Sequence, residues 1–322
     1  YSKAKKYYEM SANHQNSKAN LMLGNIYYFG NGVEQNHSIA WNYYHASTGR
    51  NNSYAYLKIG DIYYFEKDYS KAFQFYTIFS LQNELHPIKN LANLYYFGKG
   101  TDINYLEAKK YYELSIKEND QYAQFMLGNI YYFGKEVERN LKIAKEFYEY
   151  SAEQDNSYAH LMLGIIYQFG DINEQYKAKK HYKKSAMQKN PYALLMLGNL
   201  YYFGDIIKKD YSRAKKYYHL AEEYNNYEAS FMIGNIHYYG YGGNINYSKA
   251  KKHYKIGAKK GHQYSELMLG NIYYFGLGVE KDYSKAKKYY KLAMKQNNID
   301  ALLMIGNIYF YGNGGKQNYQ KS

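Results

Sequence analysis

The sequence predicts an all-α solenoid, a superhelix of about nine helix-turn-helix repeats of 32–36 residues. Two recurring motifs carry that expectation. The first, Leu-Gly-Asn-Ile-Tyr-Tyr-Phe-Gly, places its leading glycine at Gly24, Gly60, Gly128, Gly164, Gly198, Gly234, Gly270 and Gly306, with Ala92 in the third slot. The second, Lys-Ala-Lys-Lys-Tyr-Tyr, centres on Ala4, Ala40, Ala72, Ala108, Ala144, Ala178, Ala214, Ala250 and Ala286. Self-similarity at a fixed period of this length marks stacked supersecondary units. Positions below are counted from the motif glycine of the first helix (G) and the motif alanine of the second (A).

The first helix carries the glycine. At 100° per residue, G−5 (Ala19), G−2 (Met22), G+2 (Ile26) and G+5 (Phe29) share a side, which predicts a packed stripe. Seven of the ten methionines occupy G−2, where a packing role outweighs any thioether chemistry. The helix is expected to stop at Gly30-Asn31-Gly32 and its equivalents, since glycine suits a left-handed C-terminal cap.

The second helix is expected to start after Asn36, Asp68, Asn104, Asn140, Asp210, Asn246, Asp282 or Asn318, residues whose side chains cap exposed amides. A+4 is Tyr in all nine copies, from Tyr8 to Tyr290. Alanine, the two aromatics and a small A+7 residue share one face, and the lysines at A−1, A+1 and A+2 take the other. The step from alanine to the next glycine slot is always 20 residues, whereas the step onward to the next alanine varies from 12 to 16. Stacking between repeats is thus rigid, and the turn inside each repeat absorbs deletions as an exposed loop does.

Residues 1–322 read as one such array, and the chain opens and closes at the same phase of the repeat, which suggests a window of a longer array. A hydrophobic content of 46% argues against disorder. Cysteine is absent, which removes disulfides, thiol catalysis and cysteine zinc sites. No apolar run approaches the ~20 residues of a membrane span.

These residues resemble the Sel-1-like repeat family, a relative of the tetratricopeptide repeat. Ala19, Leu23, Gly24, Tyr27, Gly30, Gly32, Val33, Asn36, Ala40, Tyr43 and Tyr44 follow its pattern, and residues 265–290 follow it with Ser265 for the leading alanine. The resemblance implies a right-handed superhelix of helix pairs and an adaptor role. Known members serve in endoplasmic-reticulum quality control, in assembly of membrane enzyme complexes and in bacterial contact with host cells. The cysteine pairs of one bacterial branch are missing here. In tetratricopeptide arrays G+1 and G+4 of the first helix line the concave side. The corresponding groove residues are Asn25, Tyr28, Asn93, Tyr96, Asn129, Tyr132, Asn199, Tyr202, Asn235, Asn271 and Tyr274. Their amides could hold an extended peptide, or bond only to neighbouring helices.

Catalytic, metal-binding and cofactor-binding residues are not expected. Gly240-Tyr241-Gly242-Gly243 lacks the strand context of a phosphate loop. His181 and His253 replace the first Tyr of the pair two repeats apart, and read as structural. Function is therefore sought where one copy departs from the others. Trp41, Phe73, Phe75 and Phe79, with Ile78, Leu81 and His86-Pro87, mark residues 37–92 either as an apolar patch that docks a partner or as a repeat repacked around a short turn. Residues 177–295 carry a net charge of +15, with columns at Lys177, Lys179, Lys180, Arg213, Lys215, Lys216, Lys249, Lys251, Lys252, Lys285, Lys287 and Lys288. That face could bind a polyanion or be merely solvated; the absence of a nucleic-acid motif argues against specific nucleic-acid binding. A non-enzymatic scaffold for other proteins is the leading expectation. Self-assembly into a homo-oligomeric lattice or fibre is the second, because 49 tyrosines exceed what the motifs need for packing and Tyr54, Tyr122, Tyr158, Tyr192 and Tyr264, recurring before the first helix, are expected to face outward.

Overall fold

In the computed structural model, which describes residues 1–48, 52–82 and 88–313, eighteen α-helices and two short 3-10 turns alternate with tight loops, and no strand occurs among the described residues. The first helices are α2 (Ser17–Phe29), α4 (Ser53–Phe65), α6 (Lys89–Phe97), α8 (Gln121–Phe133), α10 (Ser157–Phe169), α12 (Pro191–Phe203), α14 (Tyr227–Tyr239), α16 (Gln263–Phe275) and α18 (Ile299–Phe310). The second helices are α1 (Ser2–Asn13), α3 (His37–Thr48), α5 (Tyr69–Gln82), α7 (Tyr105–Ser115), α9 (Leu141–Glu153), α11 (Tyr176–Met187), α13 (Tyr211–Glu223), α15 (Tyr247–Lys259) and α17 (Tyr283–Met294). Among the described residues they form eight complete pairs, α2 with α3 through α16 with α17, flanked by α1 and α18. This is the consecutive-helix packing of an α-solenoid. The chain divides into two compact units, Tyr1–Gln154 and Asp155–Ser322. His86-Pro87 and Asn318 lie outside the described residues.

The pair is built on one close contact. A Cβ placed on Gly24 would lie 2.4 Å from the Tyr44 ring, and the same holds at 2.3–2.6 Å for Gly60 against Tyr76 through Gly270 against Tyr290. In these seven copies glycine lets the A+4 tyrosine cross against the first helix; with Tyr112, whose copy has Ala92 in the glycine slot, all eight A+4 rings from Tyr44 on are fully buried. The A alanines from Ala40 to Ala286 are likewise at 0% exposure. Six first helices end on a left-handed glycine, Gly30, Gly98, Gly134, Gly204, Gly240 and Gly276. Second helices are capped by Asn36, Asp68, Asn104, Asn140, Asp210, Asn246 and Asp282, each accepting from the amide three residues on at 2.8–3.2 Å.

The packed side of the first helix is turned from the expected one. Buried residues run through G+2, G−5 and G−1, as Ile26, Ala19 and Leu23 show, with the motif glycine at their edge. The G+5 aromatic, at the end of the last turn, therefore falls outside the arc and is exposed in all nine copies. G−2 is mixed: Met126 is buried, whereas Met22 is exposed.

Candidate interaction surface

The G+1 asparagines are fixed from within. The A+4 hydroxyl donates to the amide oxygen in Tyr44–Asn25, Tyr112–Asn93, Tyr148–Asn129, Tyr218–Asn199, Tyr254–Asn235 and Tyr290–Asn271, at 2.6–2.9 Å. Two copies lack the asparagine and keep the bond. Asp61 accepts from Tyr76 at 2.9 Å. Where Ile165 stands at G+1, Gln168 replaces the usual G+4 tyrosine and accepts from Tyr182 at 2.6 Å. A buried hydroxyl is costly to leave unsatisfied, which explains the compensation. The asparagine Nδ2 is left with weak sulfur contacts, 3.7 Å to Met126 and Met268 and 3.9 Å to Met22 and Met196. The G+4 rings of Tyr28, Tyr96, Tyr132, Tyr202 and Tyr274 lie against the buried A+4 ring and edge-on to their G+5 neighbour. Burial pushes the hydroxyls of Tyr96 and Tyr202 up to about 12, so both are neutral.

The lysine columns have a structural task that the sequence reading did not foresee. G+3 and A+3 aromatics stack in every complete pair, as Tyr27 on Tyr43 and Tyr273 on Tyr289. Cations cover the G+3 ring from two sides. Lys71, Lys177, Arg213 and Lys285, all at A−1, lie 5.1–5.6 Å from the ring of their own repeat. Lys5, Lys109, Lys179 and Lys287, all at A+1, lie 4.1–5.9 Å from the ring of the next repeat. Burial would raise the Tyr201 hydroxyl, but Lys179 and Arg213 beside it draw it below its ordinary value. Of the basic face, Lys215, Lys251 and Lys287 at A+1 are half-buried, whereas Lys180, Lys216, Lys252 and Lys288 at A+2, together with Lys249, are exposed.

The apolar departures follow the same grammar. Trp41 and Phe73 both occupy A+1, so each puts an aromatic where other repeats put lysine. Phe73 meets Tyr95 edge-on at 5.3 Å. Trp41 stacks on His45 at 4.8 Å and lines a pocket of about 230 Å³ with His37, Ile62 and Tyr63. Both are half-buried, as is Phe75, which stacks on Tyr63 at 5.5 Å. Phe79 is a correction: it fills the A+7 slot, is wholly buried, and cannot meet a partner. In other repeats that slot holds a small residue, and Ser47, Ser151 and Ser185 there donate to a carbonyl at the start of the first helix at 2.7 Å. His181 pairs with His160 at 3.2 Å; His253 lies 2.9 Å from Glu222 and stacks on His237.

The outer arc of the first helix was foreseen only in part: its G−6 tyrosines were expected to face outward, its G+5 aromatics were not. The G+5 residues Phe29, Phe65, Phe97, Phe133, Phe169, Phe203, Tyr239, Phe275 and Tyr311 are 49–74% exposed. On a 100° wheel they share an arc with G+1 and with G−6, where Tyr54, Tyr158, Tyr192 and Tyr264 are exposed too. The missed signal was the position of G+5 next to the terminating glycine, where a helix has no following turn to pack beneath.

The model of the Sel1 repeat family matches residues 1–16, 17–48, 53–83, 89–120, 121–156, 157–190, 191–223, 228–262, 263–298 and 299–322. Among solved structures, a protective antigen of uropathogenic Escherichia coli with an SLR fold is similar over 98% of this chain and 69% of its own, at 25% identity and a TM-score of 0.75. A Sel1 repeat protein from Oxalobacter formigenes is 30% identical over 67% of this chain and 92% of its own, with a TM-score of 0.60. No curated protein sequence matches.

Proposed function

The chain belongs to the Sel1 repeat family, whose non-catalytic fold generally serves as a protein-interaction scaffold, and we propose that it binds other proteins along the outer arc of its first helices. The observation that carries this reading is the alignment of three repeating groups on that arc. G+5 aromatics stand exposed, G−6 tyrosines flank them, and G+1 asparagines lie between, half-buried at Asn25, Asn199, Asn235 and Asn271 and buried at Asn93 and Asn129. Monomeric proteins rarely expose a run of aromatics without an interaction to cover it. The rings supply apolar contact along an extended segment, and the half-buried asparagines give it a polar margin. Trp41 and Phe73 add a half-buried edge in the first unit. Lys177, Lys179, Arg213, Lys285 and Lys287 are engaged with tyrosine rings, which weakens the polyanion reading.

The test is a pair of variants, Phe133→Ser and Phe203→Ser, chosen because exposed side chains contribute little to folding. The expected result is loss of partner capture by at least tenfold with a melting temperature within about 2 °C of the parent, since exposed substitutions change stability by ~0.5 kcal/mol or less. Undiminished capture by the double variant would refute the outer arc as the binding face. Periodic aromatics on the same arc also favour self-association. Sedimentation at increasing concentration separates that reading, because Phe133→Ser and Phe203→Ser would then lower the oligomer mass instead.

A further inference from the structure

Repeated positions serve the fold, so a cluster of departures in one place marks an individual task. Four departures meet at the join between α12 and α14. Tyr224 stands at G−10, where Gln154, Gln188 and Gln296 are found in other copies. Gln154 and Gln296 there donate to Gln124 and Glu266 at 2.9 and 2.8 Å; the matching partner of Tyr224 is the buried Leu194, which offers no such bond. Tyr227 and Glu228 occupy G−7 and G−6, where other copies carry mostly Ser or Gln followed by Tyr. His262 occupies the N-cap of α16, where every other described first helix but α6 has Asn or Asp.

Tyr224, Tyr227 and Glu228, with Tyr192, Leu195 and Asn199, line a pocket of about 300 Å³. That is the lower end of ligand-pocket sizes, suited to one side chain. His262 aims the carboxylate. Its Nδ1 accepts from the Ser265 amide at 3.2 Å, which leaves the proton on Nε2, and Nε2 lies 3.4 Å from Glu228 Oε2. A neutral imidazole thus orients Glu228 while leaving its negative charge in place, and this hydrogen bond holds the carboxyl below its usual range. The amides at the starts of α12 and α14 are already capped by Asn190 and Asn226 and offer no anion site. Three tyrosines and one carboxylate on a single lining are the side chains that suit a cation. Tyr224 already shows that capacity, with Lys189 Nζ 6.0 Å from its ring.

We propose that this pocket binds an alkylammonium group, the side chain of a lysine on a foreign protein partner. The source of the lysine rests on the scaffold reading; the pocket chemistry does not. The test titrates isotope-labelled protein with Nα-acetyl-lysine N-methylamide and follows backbone amide shifts. Shifts should centre on Tyr192, Tyr227 and Glu228, and the Nε-acetylated probe should bind at least fivefold more weakly. Glu228→Gln should weaken the lysine probe about fivefold and Tyr227→Leu about threefold. Lys189→Asn, matching Asn225 and Asn297 in the same left-handed turn position, should tighten it about twofold by removing the internal competitor. Tyr227→Leu and Lys189→Asn keep the test alive if Glu228→Gln fails to fold. Equal binding of the two probes, or shifts centred elsewhere, would overturn the pocket while leaving the outer-arc variants to judge the scaffold. Self-association that Glu228→Gln abolishes would overturn the foreign source.

Discussion

At the scale of single residues, the organising bond joins the A+4 tyrosine to the G+1 group. It recurs with asparagine, with Asp61, and through the displaced Gln168, so what is kept is the acceptor and not the residue. Sequence comparison between copies made the asparagine ladder visible, but not whether its amides faced a ligand or a neighbour. The answer depended on ring direction, which periodicity does not encode. Asn129→Ala leaves the fully buried Tyr148 hydroxyl without its acceptor and should cost about 1–3 kcal/mol, whereas Asn129→Asp, which copies Asp61, should recover most of that loss. Chemical denaturation of the three proteins measures it. Equal stability of Asn129→Ala and the parent would mean that the bond does not hold the pair together.

At the scale of helices, most boundaries were legible, because capping is local chemistry. The seven Asn and Asp caps of the second helices and the glycine stops fall where the sequence placed them. The packed arc was not fully legible, since Phe at G+5 fits an apolar wheel although it lies at the end of the last turn. The role of the A+1 lysines was also hidden, because their partners sit 22 residues away in the next repeat. In α13, α14 and α15 the recurring tyrosine stack is replaced by His237 on His253, with Glu222 and His219 alongside and Lys215 and Lys249 near. Burial first, then Lys215 and the other cations, bring His237 down to about 4. A depressed histidine must remain neutral when folded, so its cost is absent above the unfolded value of ~6.5 and grows as pH falls toward 4. Burial would raise Glu222, but hydrogen bonds from His219 and His253 hold it well below its ordinary range, so its contribution is lost only at still lower pH. Solvent around the partly exposed His237 ring trims the effect to about 1 kcal/mol at pH 5. Melting at pH 7 and pH 5 should differ by about 2–4 °C from this source, and His237→Tyr, which restores the common stack, should remove that difference. An unchanged pH dependence in the variant would refute the assignment.

At the scale of the whole molecule, repetition divides the labour. Buried positions, cation-covered rings and capped turns explain nearly every motif residue by packing alone. What packing leaves over is the outer arc of the first helices and the few places where one copy differs from the rest. The sequence pointed to Trp41 and the residues near it, yet half of that patch is absorbed as a substitute for lysine on the next ring or as core. The G+5 side of the arc was missed because its residues are part of the motif, and a motif residue is naturally read as fold, whereas the G−6 tyrosines outside the motif were expected to face outward. Its function is tested most directly by photo-crosslinking, with p-benzoylphenylalanine placed at Phe133 and Phe203 on the arc and at Lys110 and Lys216 on the exposed side of the second helices. Crosslinks to a foreign protein from the arc positions, and none from the lysine positions, are the predicted result; adducts that are equal from both faces, or that arise only from Lys110 and Lys216, would contradict it.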